Sequence, residues 1–258
     1  MTQPFDVGSI VETLYVQLKN TDDRFLAVHP EVLDALRSSG EITRIFYDIP
    51  KFRAKIRGNG LLLADAKPFD SLTNVSVKEF LECALSMGFS YQMWIHPKNQ
   101  NKTEIGYGHE EIAITLAYAG DLSTTTYFIF TRNNPIKLGG KISRSIIRKL
   151  AGVRDLAAAA KQAATNLDGL MQAGNIGPFG LKQNDRIYVD LSSYSQSLNN
   201  RELLVNFPSG HDMLSFNMRL KEAYLVLGKI YIGRTDIKDL WQRGYDSDDS
   251  SVLKFPKI

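Results

Sequence analysis

Cationic and apolar residues alternate along residues 51–57. The cationic positions are Lys51, Arg53, Lys55 and Arg57. Successive side chains of a β-strand point to opposite faces, so this spacing predicts a row of positive charges on one face. Neighbours within the row would lie about 6.6 Å apart. Such a row could bind the phosphates of a polyanion, and arginine can do so bidentately.

The same pattern is also typical of a protected sheet edge, because lysine on an edge strand opposes aggregation. Phe52 belongs to the opposite, apolar face, so no aromatic residue of this strand would accompany the charges. The Lys/Arg-Gly-Phe/Tyr-Gly/Ala-Phe signature of common RNA-recognition domains is absent as well. A nucleic acid bound here would therefore be contacted through its backbone rather than its bases.

A second basic element follows in the middle of the chain. Between residues 132 and 161, eight Lys and Arg residues accompany one acidic residue, Asp155. Ile142, Ile146 and Leu150 recur every four residues, which predicts an amphipathic helix with a basic outer face. The candidate contacts on this helix are Lys141, Arg144, Arg148 and Lys149. The alternative is an ordinary solvated helix surface.

The sequence contains none of the common motifs that would identify a catalytic reaction, a metal site or a nucleotide-binding loop. The four histidines are His29, His96, His109 and His211. His109 is followed by two glutamates, but Ala113 stands where His-Glu-x-x-His requires a histidine. The phosphate-binding loop Gly-x-x-x-x-Gly-Lys-Ser/Thr and the Gly-x-Ser-x-Gly nucleophile motif are also absent. No catalytic residue, metal site or cofactor is predicted.

Composition indicates an ordinary globular protein. The chain has 258 residues, of which 43% are hydrophobic and 23% charged, and its net charge is +3. A single cysteine, Cys83, excludes a disulfide framework within one chain and indicates a reducing, cytoplasmic environment. The amino-terminal residues do not resemble a signal peptide, and no apolar run approaches a membrane span, so no membrane partner is expected.

The elements that would position the basic residues can be predicted in order along the chain. We expect strands at 10–19, 41–49 and 89–95, helices at 30–39 and 76–87, and a hairpin around Gly58-Asn59-Gly60. This order predicts an α+β protein whose N-terminal unit is ferredoxin-like, β-α-β-β-α-β. A helical segment and a β-rich C-terminal half follow, with strands at 124–131, 186–191, 203–207, 213–220 and 224–232 and a short helix at 237–243.

Three parts of the chain are distinguished on this basis. Residues 1–97 form the ferredoxin-like unit, residues 98–245 a second α+β unit with the basic helix 141–161, and residues 246–258 a mobile acidic tail. The function that this pattern favours is binding of RNA or single-stranded DNA through the phosphate backbone, alone or as a subunit of a larger ribonucleoprotein assembly.

Two alternatives remain open from the sequence. A metal-independent ribonuclease could use His29, His96 or Tyr47 for proton transfer beside the cationic strand. A structural or assembly protein could instead use the same basic faces to bind acidic surfaces of protein partners.

Overall fold

The computed structural model describes residues 6–8, 11, 25–28, 30–41, 54–57, 60–63, 75–95, 111–120, 124–131, 141–167, 171, 175–210, 214–242 and 253–254. These residues form a mixed α/β structure. The helices are α1 (Pro30–Ser38), α2 (Val75–Ser86), α3 (Arg144–Ala151), α4 (Leu156–Asn166), α5 (Leu191–Asn199) and α6 (Leu220–Ile230).

The described residues contain thirteen strands, numbered here in chain order. They are β1 (Phe25–Val28), β2 (Ala54–Arg57), β3 (Gly60–Leu63), β4 (Tyr91–Ile95), β5 (Glu111–Ala119), β6 (Thr125–Thr131), β7 (Lys141–Ile142), β8 (Arg186–Asp190), β9 (Leu204–Pro208), β10 (Leu214–Arg219), β11 (Thr235–Lys238), β12 (Trp241–Gln242) and β13 (Leu253–Lys254).

Eleven of these strands form one mixed sheet in the order β13-β11-β8-β6-β5-β9-β10-β4-β1-β3-β2, while β7 and β12 pair separately. The strands β6, β8 and β11 run parallel to one another. Parallel neighbours need a crossover, and α3 and α4 connect β6 to β8 along the chain. The hairpin β9–β10 lies between β5 and β4. It therefore connects strands β4, β1, β3 and β2 with the other strands of the sheet.

The main core lies between one face of the sheet and helices α1, α2, α4 and α6. Four phenylalanines meet at its centre, where Phe216 contacts Phe207 at 5.4 Å, Phe80 at 5.9 Å and Phe179 at 6.0 Å between ring centroids. All four rings are almost completely buried. Burial of each such side chain contributes about 1.5–3 kcal/mol, so this cluster holds α2 and the loop at 175–180 onto β9 and β10.

The predicted mixed class of α and β structure is confirmed, and so are the hairpin, now β2–β3, and α2. The ferredoxin-like arrangement is not confirmed. The described first strand lies at Phe25–Val28 and runs parallel to β4. Of the strand expected at 10–19, only Val11 is described, and it is helical.

Two predictions for the C-terminal half are wrong. The strand expected at 224–232 is helix α6, whose buried Leu220, Ala223, Tyr224 and Leu227 have helical spacing. The segment Tyr-Leu-Val-Leu inside this helix has the composition of a strand, because aromatic and β-branched residues such as tyrosine and valine favour sheets. The helix expected at 237–243 is replaced by the end of β11 and by β12.

The division into units at residues 97 and 98 stays a prediction, although β4 and β10 pair across that point. Leu253 and Lys254 belong to the tail that was expected to be mobile, and they pair with β11 at the edge of the sheet. The other residues of the tail lie outside the described ranges. Among the helices of the described residues, none has the length and hydropathy needed to cross a membrane.

Helix α3 ends at a glycine that should be sensitive to substitution. Gly152 has a φ of 68°, in the left-handed region, and its N–H donates to the carbonyl of Arg148. A β-carbon there would meet nothing within 4 Å, so only the backbone conformation opposes a side chain. We expect Gly152→Ala to lower the free energy of unfolding by about 1 kcal/mol, measured by urea denaturation.

Gly152→Asn is the matched variant, because asparagine tolerates the left-handed region better than alanine does. Its loss of stability should be the smaller of the two. An alanine variant as stable as the native protein would show that the turn does not depend on glycine.

Candidate nucleic-acid interface

Local sequence signals define both ends of α3. Ser143 has an extended backbone, and its side-chain oxygen accepts a hydrogen bond from the N–H of Ile146 at 3.3 Å. This is the usual N-cap contact of a serine. Helix α3 therefore begins at Arg144, three residues later than the sequence predicted, because Lys141 and Ile142 pair with β12.

One side of α3 packs on the sheet. Ile147 and Ala151 are buried against Phe128 of β6 and Leu240, in a hydrophobic cluster separate from the main core. Ile146 and Leu150 pack at its margin. Because these residues fix the orientation of the helix, its remaining residues face outward.

The outward side of α3 is cationic. Arg144, Arg148 and Lys149 are exposed. Arg144 and Arg148 are four residues apart and thus neighbours on one helix face, with about 5–6 Å between their β-carbons. No carboxylate among the described residues forms an ion pair with any of the three. We call these three residues the α3 basic face.

The fourth helix candidate, Lys141, lies outside α3. Its backbone belongs to β7, opposite Gln242 of β12. Ile142 of β7 and the N-cap Ser143 separate Lys141 from Arg144, the first residue of α3. The side chain of Lys141 lies outside what the structure describes.

The cationic strand lies at the edge of the sheet, as far as it is described. Lys55 and Arg57 belong to β2, which pairs only with β3 in the described sheet. This position agrees with the alternative of a protected edge. Lys51 and Arg53 lie outside the described residues.

The two basic elements occupy distant parts of the sheet. Helix α3 packs over β6, and seven strand spacings separate β6 from β2 in the sheet order. At about 4.8 Å for each spacing, this is about 34 Å along the sheet. The α3 basic face and β2 therefore do not form one continuous patch.

An aromatic row that the sequence did not reveal packs against the hydrophobic cluster that the apolar side of α3 shares with β6. The ring of Phe128 is stacked with that of Tyr188 at 5.6 Å and meets that of Tyr118 edge-on at 5.9 Å. These residues come from β6, β8 and β5 and share one face of the sheet, since Phe128 is opposite Tyr188 and Leu116. Phe128 is fully buried, whereas both tyrosines are half-buried.

Cationic side chains act on both tyrosines. Burial raises the pKa of the Tyr118 phenol, and the nearby Arg144 partly opposes that change. Burial likewise raises the pKa of Tyr188, with Arg186 lowering it and Asp236 raising it. Arg144 thus connects the α3 basic face to the aromatic row.

A buried polar network stands at the carboxyl end of β8. Asp190 accepts hydrogen bonds from the N–H of Ser193, the N–H of Leu240 and the hydroxyls of Ser192 and Ser193. The indole of Trp241 donates to Ser192 at 2.7 Å. These contacts hold α5 and β12 against the sheet.

The residues considered for catalysis are not placed. His29, His96 and Tyr47 lie outside the described residues, so the ribonuclease alternative is untested. Within the described ranges, no group of three or more His, Cys, Asp or Glu side chains could hold a metal ion.

Comparisons with known proteins give little guidance. No protein family model matches the chain, and no curated protein matches it. Two solved structures have partial similarity, each aligned with 65% of this chain. One comes from computational backbone grafting of linear epitopes onto scaffold proteins, with 20% identity, 97% of its chain covered and a TM-score of 0.43.

The other solved structure is that of the hypothetical protein APE2540, with 17% identity, 99% of its chain covered and a TM-score of 0.45. Similarity at this level supports no conclusion about the fold or function of the present chain.

Proposed function

We propose that this protein binds RNA or single-stranded DNA through the phosphate backbone, and that the α3 basic face is the principal contact. The observation that supports the proposal is the set of three exposed cations on one rigidly packed helix, without a carboxylate partner in the described chain. A helix that serves only as a solvated surface more often carries charges of both signs, which stabilise it through i,i+4 pairs.

The proposal is specific about the kind of contact. Arg144 and Arg148 are spaced to bind successive anionic groups along the helix, and a guanidinium matches a phosphate in planar, bidentate geometry. Lys149 adds a third charge at the end of the helix. Contacts of this type fix a backbone without reading a sequence.

Strand β2 is a second and separate contact in this proposal. Its separation from β6, about 34 Å along the sheet, means that a short ligand does not span both elements. A place in a larger ribonucleoprotein assembly, with protein partners at the free edge of the sheet, is compatible with that separation. A cytoplasmic location is proposed from Cys83, which is a free cysteine.

The salt dependence of binding tests the proposal. We expect the logarithm of the association constant for a single-stranded oligonucleotide to fall linearly with the logarithm of salt concentration, because each phosphate contact releases counterions. Replacing Arg144, Arg148 and Lys149 with glutamine should reduce that slope by about 2, at about 0.7 for each contact. Fluorescence anisotropy titrations at several salt concentrations measure both quantities.

Lys161 and Lys182 provide a control, because both are exposed cations outside α3. Their replacement by glutamine should change the slope much less. Absence of binding at low salt, or the same slope for the native protein and the α3 variant, would contradict the proposal.

A further inference from the structure

Tyr118 and Tyr188 lie on either side of a fully buried ring, that of Phe128. Phe128 is fully buried and contacts both tyrosine rings, at 5.9 Å and 5.6 Å between centroids. Each tyrosine is therefore held in place while part of its surface remains open to solvent. An aromatic ring held in this way loses little conformational entropy when a ligand packs on it.

Charged side chains of both signs lie near the two rings. Arg144 of the α3 basic face acts on Tyr118, and Arg186, which is exposed, acts on Tyr188. Arg186 and Tyr118 also lie in one row across the sheet, because each is opposite Thr126. Asp236 is the acidic neighbour of Tyr188, opposite it on β11. Each half-buried tyrosine thus has an arginine near it, and Tyr188 also has a carboxylate beside it.

We infer that the ligand of the α3 basic face is a single-stranded nucleic acid whose bases stack on Tyr118 and Tyr188. This inference rests on the proposed function and names its ligand more closely. Rigid aromatic rings beside cations that track a backbone are the usual means of binding single strands, because every base has a face that can stack.

The spacing of the two tyrosines favours a single strand over a duplex. One strand, β6, lies between β5 and β8, and Tyr118 and Tyr188 are opposite β6 residues that are two positions apart. The backbones at the two tyrosines are therefore about 12 Å apart. Bases in a duplex are stacked at about 3.4 Å and present only their edges. Two tyrosine rings this far apart can each stack on a base only if the two bases are not stacked on each other.

A comparison of base-containing and abasic strands tests the inference. The full chain is titrated by anisotropy with an RNA oligonucleotide, a DNA oligonucleotide of the same sequence, an abasic strand of the same length and a duplex. We expect Tyr118→Leu and Tyr188→Leu each to weaken binding of the single strands by about tenfold. Their affinity for the abasic strand, which offers phosphates alone, should stay at the native value.

Phenylalanine variants at both positions separate stacking from loss of structure. Tyr118→Phe and Tyr188→Phe keep the ring and should keep the affinity for single strands, while thermal melting shows whether each variant is folded. The RNA and DNA titrations show which sugar the site accepts.

Two outcomes overturn the inference and differ from failure of the proposed function. Native binding that is equal for the abasic and base-containing strands, or leucine variants that retain full affinity, would show that bases do not stack there, although phosphate binding would stand. If the native protein binds none of the four probes, the proposed function itself fails, and the inference fails with it.

Discussion

Replacement of Asp190 by alanine should lower the free energy of unfolding by about 3–5 kcal/mol, one of the largest effects of any single substitution in this protein. Asp190 is completely buried, and its carboxylate accepts from the N–H of Ser193 at 3.0 Å and from the N–H of Leu240 at 3.3 Å. Alanine would leave both donors without an acceptor, at about 1–3 kcal/mol for each buried group.

The loss should spread beyond the substituted residue. Asp190 is the N-cap of α5, and Ser192, which donates to it, also accepts from the indole of Trp241. The carboxylate connects the start of α5 with the chain at Leu240 and Trp241 through these hydrogen bonds. Without it, the two segments are no longer connected in this way. Urea denaturation followed by circular dichroism measures the free energy of unfolding.

Asp155 is the matched control for this prediction. It caps α4 with the same chemistry, accepting from the N–H groups of Ala157 and Ala158, but it is exposed and makes no contact of the Asp190 kind with a distant strand. Asp155→Ala should cost only about 1 kcal/mol, the usual value of an N-cap. Equal losses at the two positions would show that Asp190 acts as a cap alone.

Sequence patterns were informative where structure depends on neighbours in the chain. The β2–β3 hairpin follows from the turn residues between its strands, and α2 and α3 follow from apolar residues at helical spacing. Helix α6 was misread because its local composition favours a strand, whereas burial of one helical side against the core decides the outcome.

The arrangement of the candidate site could not be predicted in the same way. Tyr118, Phe128 and Tyr188 are brought together because β6 pairs with β5 and with β8. The paired residues of β6 and β8 lie 60 positions apart in the chain, and no local pattern records that pairing. The basic strand and basic helix, by contrast, are separate because six strands, among them the β9–β10 hairpin, lie between β6 and β2. Both facts depend on sheet order, which is a property of the whole chain.

Reversal of charge on the α3 basic face should weaken nucleic-acid binding by at least about a hundredfold. Arg148→Glu together with Lys149→Glu replaces two attractions of about 1 kcal/mol with repulsions of the same size, and screening by salt removes part of this difference. The change places anions in the last turn of α3, where they cost about 0.3–1 kcal/mol each in stability. Thermal melting therefore accompanies the anisotropy titrations.

Two control variants distinguish the effect of where charge is reversed from the effect of the change in net charge. Lys161→Glu with Lys182→Glu gives the same change in net charge at exposed sites outside α3 and should reduce affinity far less. Lys55→Glu with Arg57→Glu reverses the edge strand β2. Because β2 and β6 are separated by about 34 Å along the sheet, this second variant should weaken binding of a long strand while leaving a ligand of about four nucleotides unaffected.

Dependence on ligand length distinguishes two arrangements of the binding surface. If the α3 variant loses affinity for short and long strands while the β2 variant loses it for long strands only, the helix is the principal contact and the strand extends it. If the β2 variant alone abolishes binding of the short ligand, the principal contact is at the edge of the sheet, and the assignment to α3 is wrong. Equal effects of the α3 variant and the Lys161/Lys182 control would show that net charge alone governs the affinity.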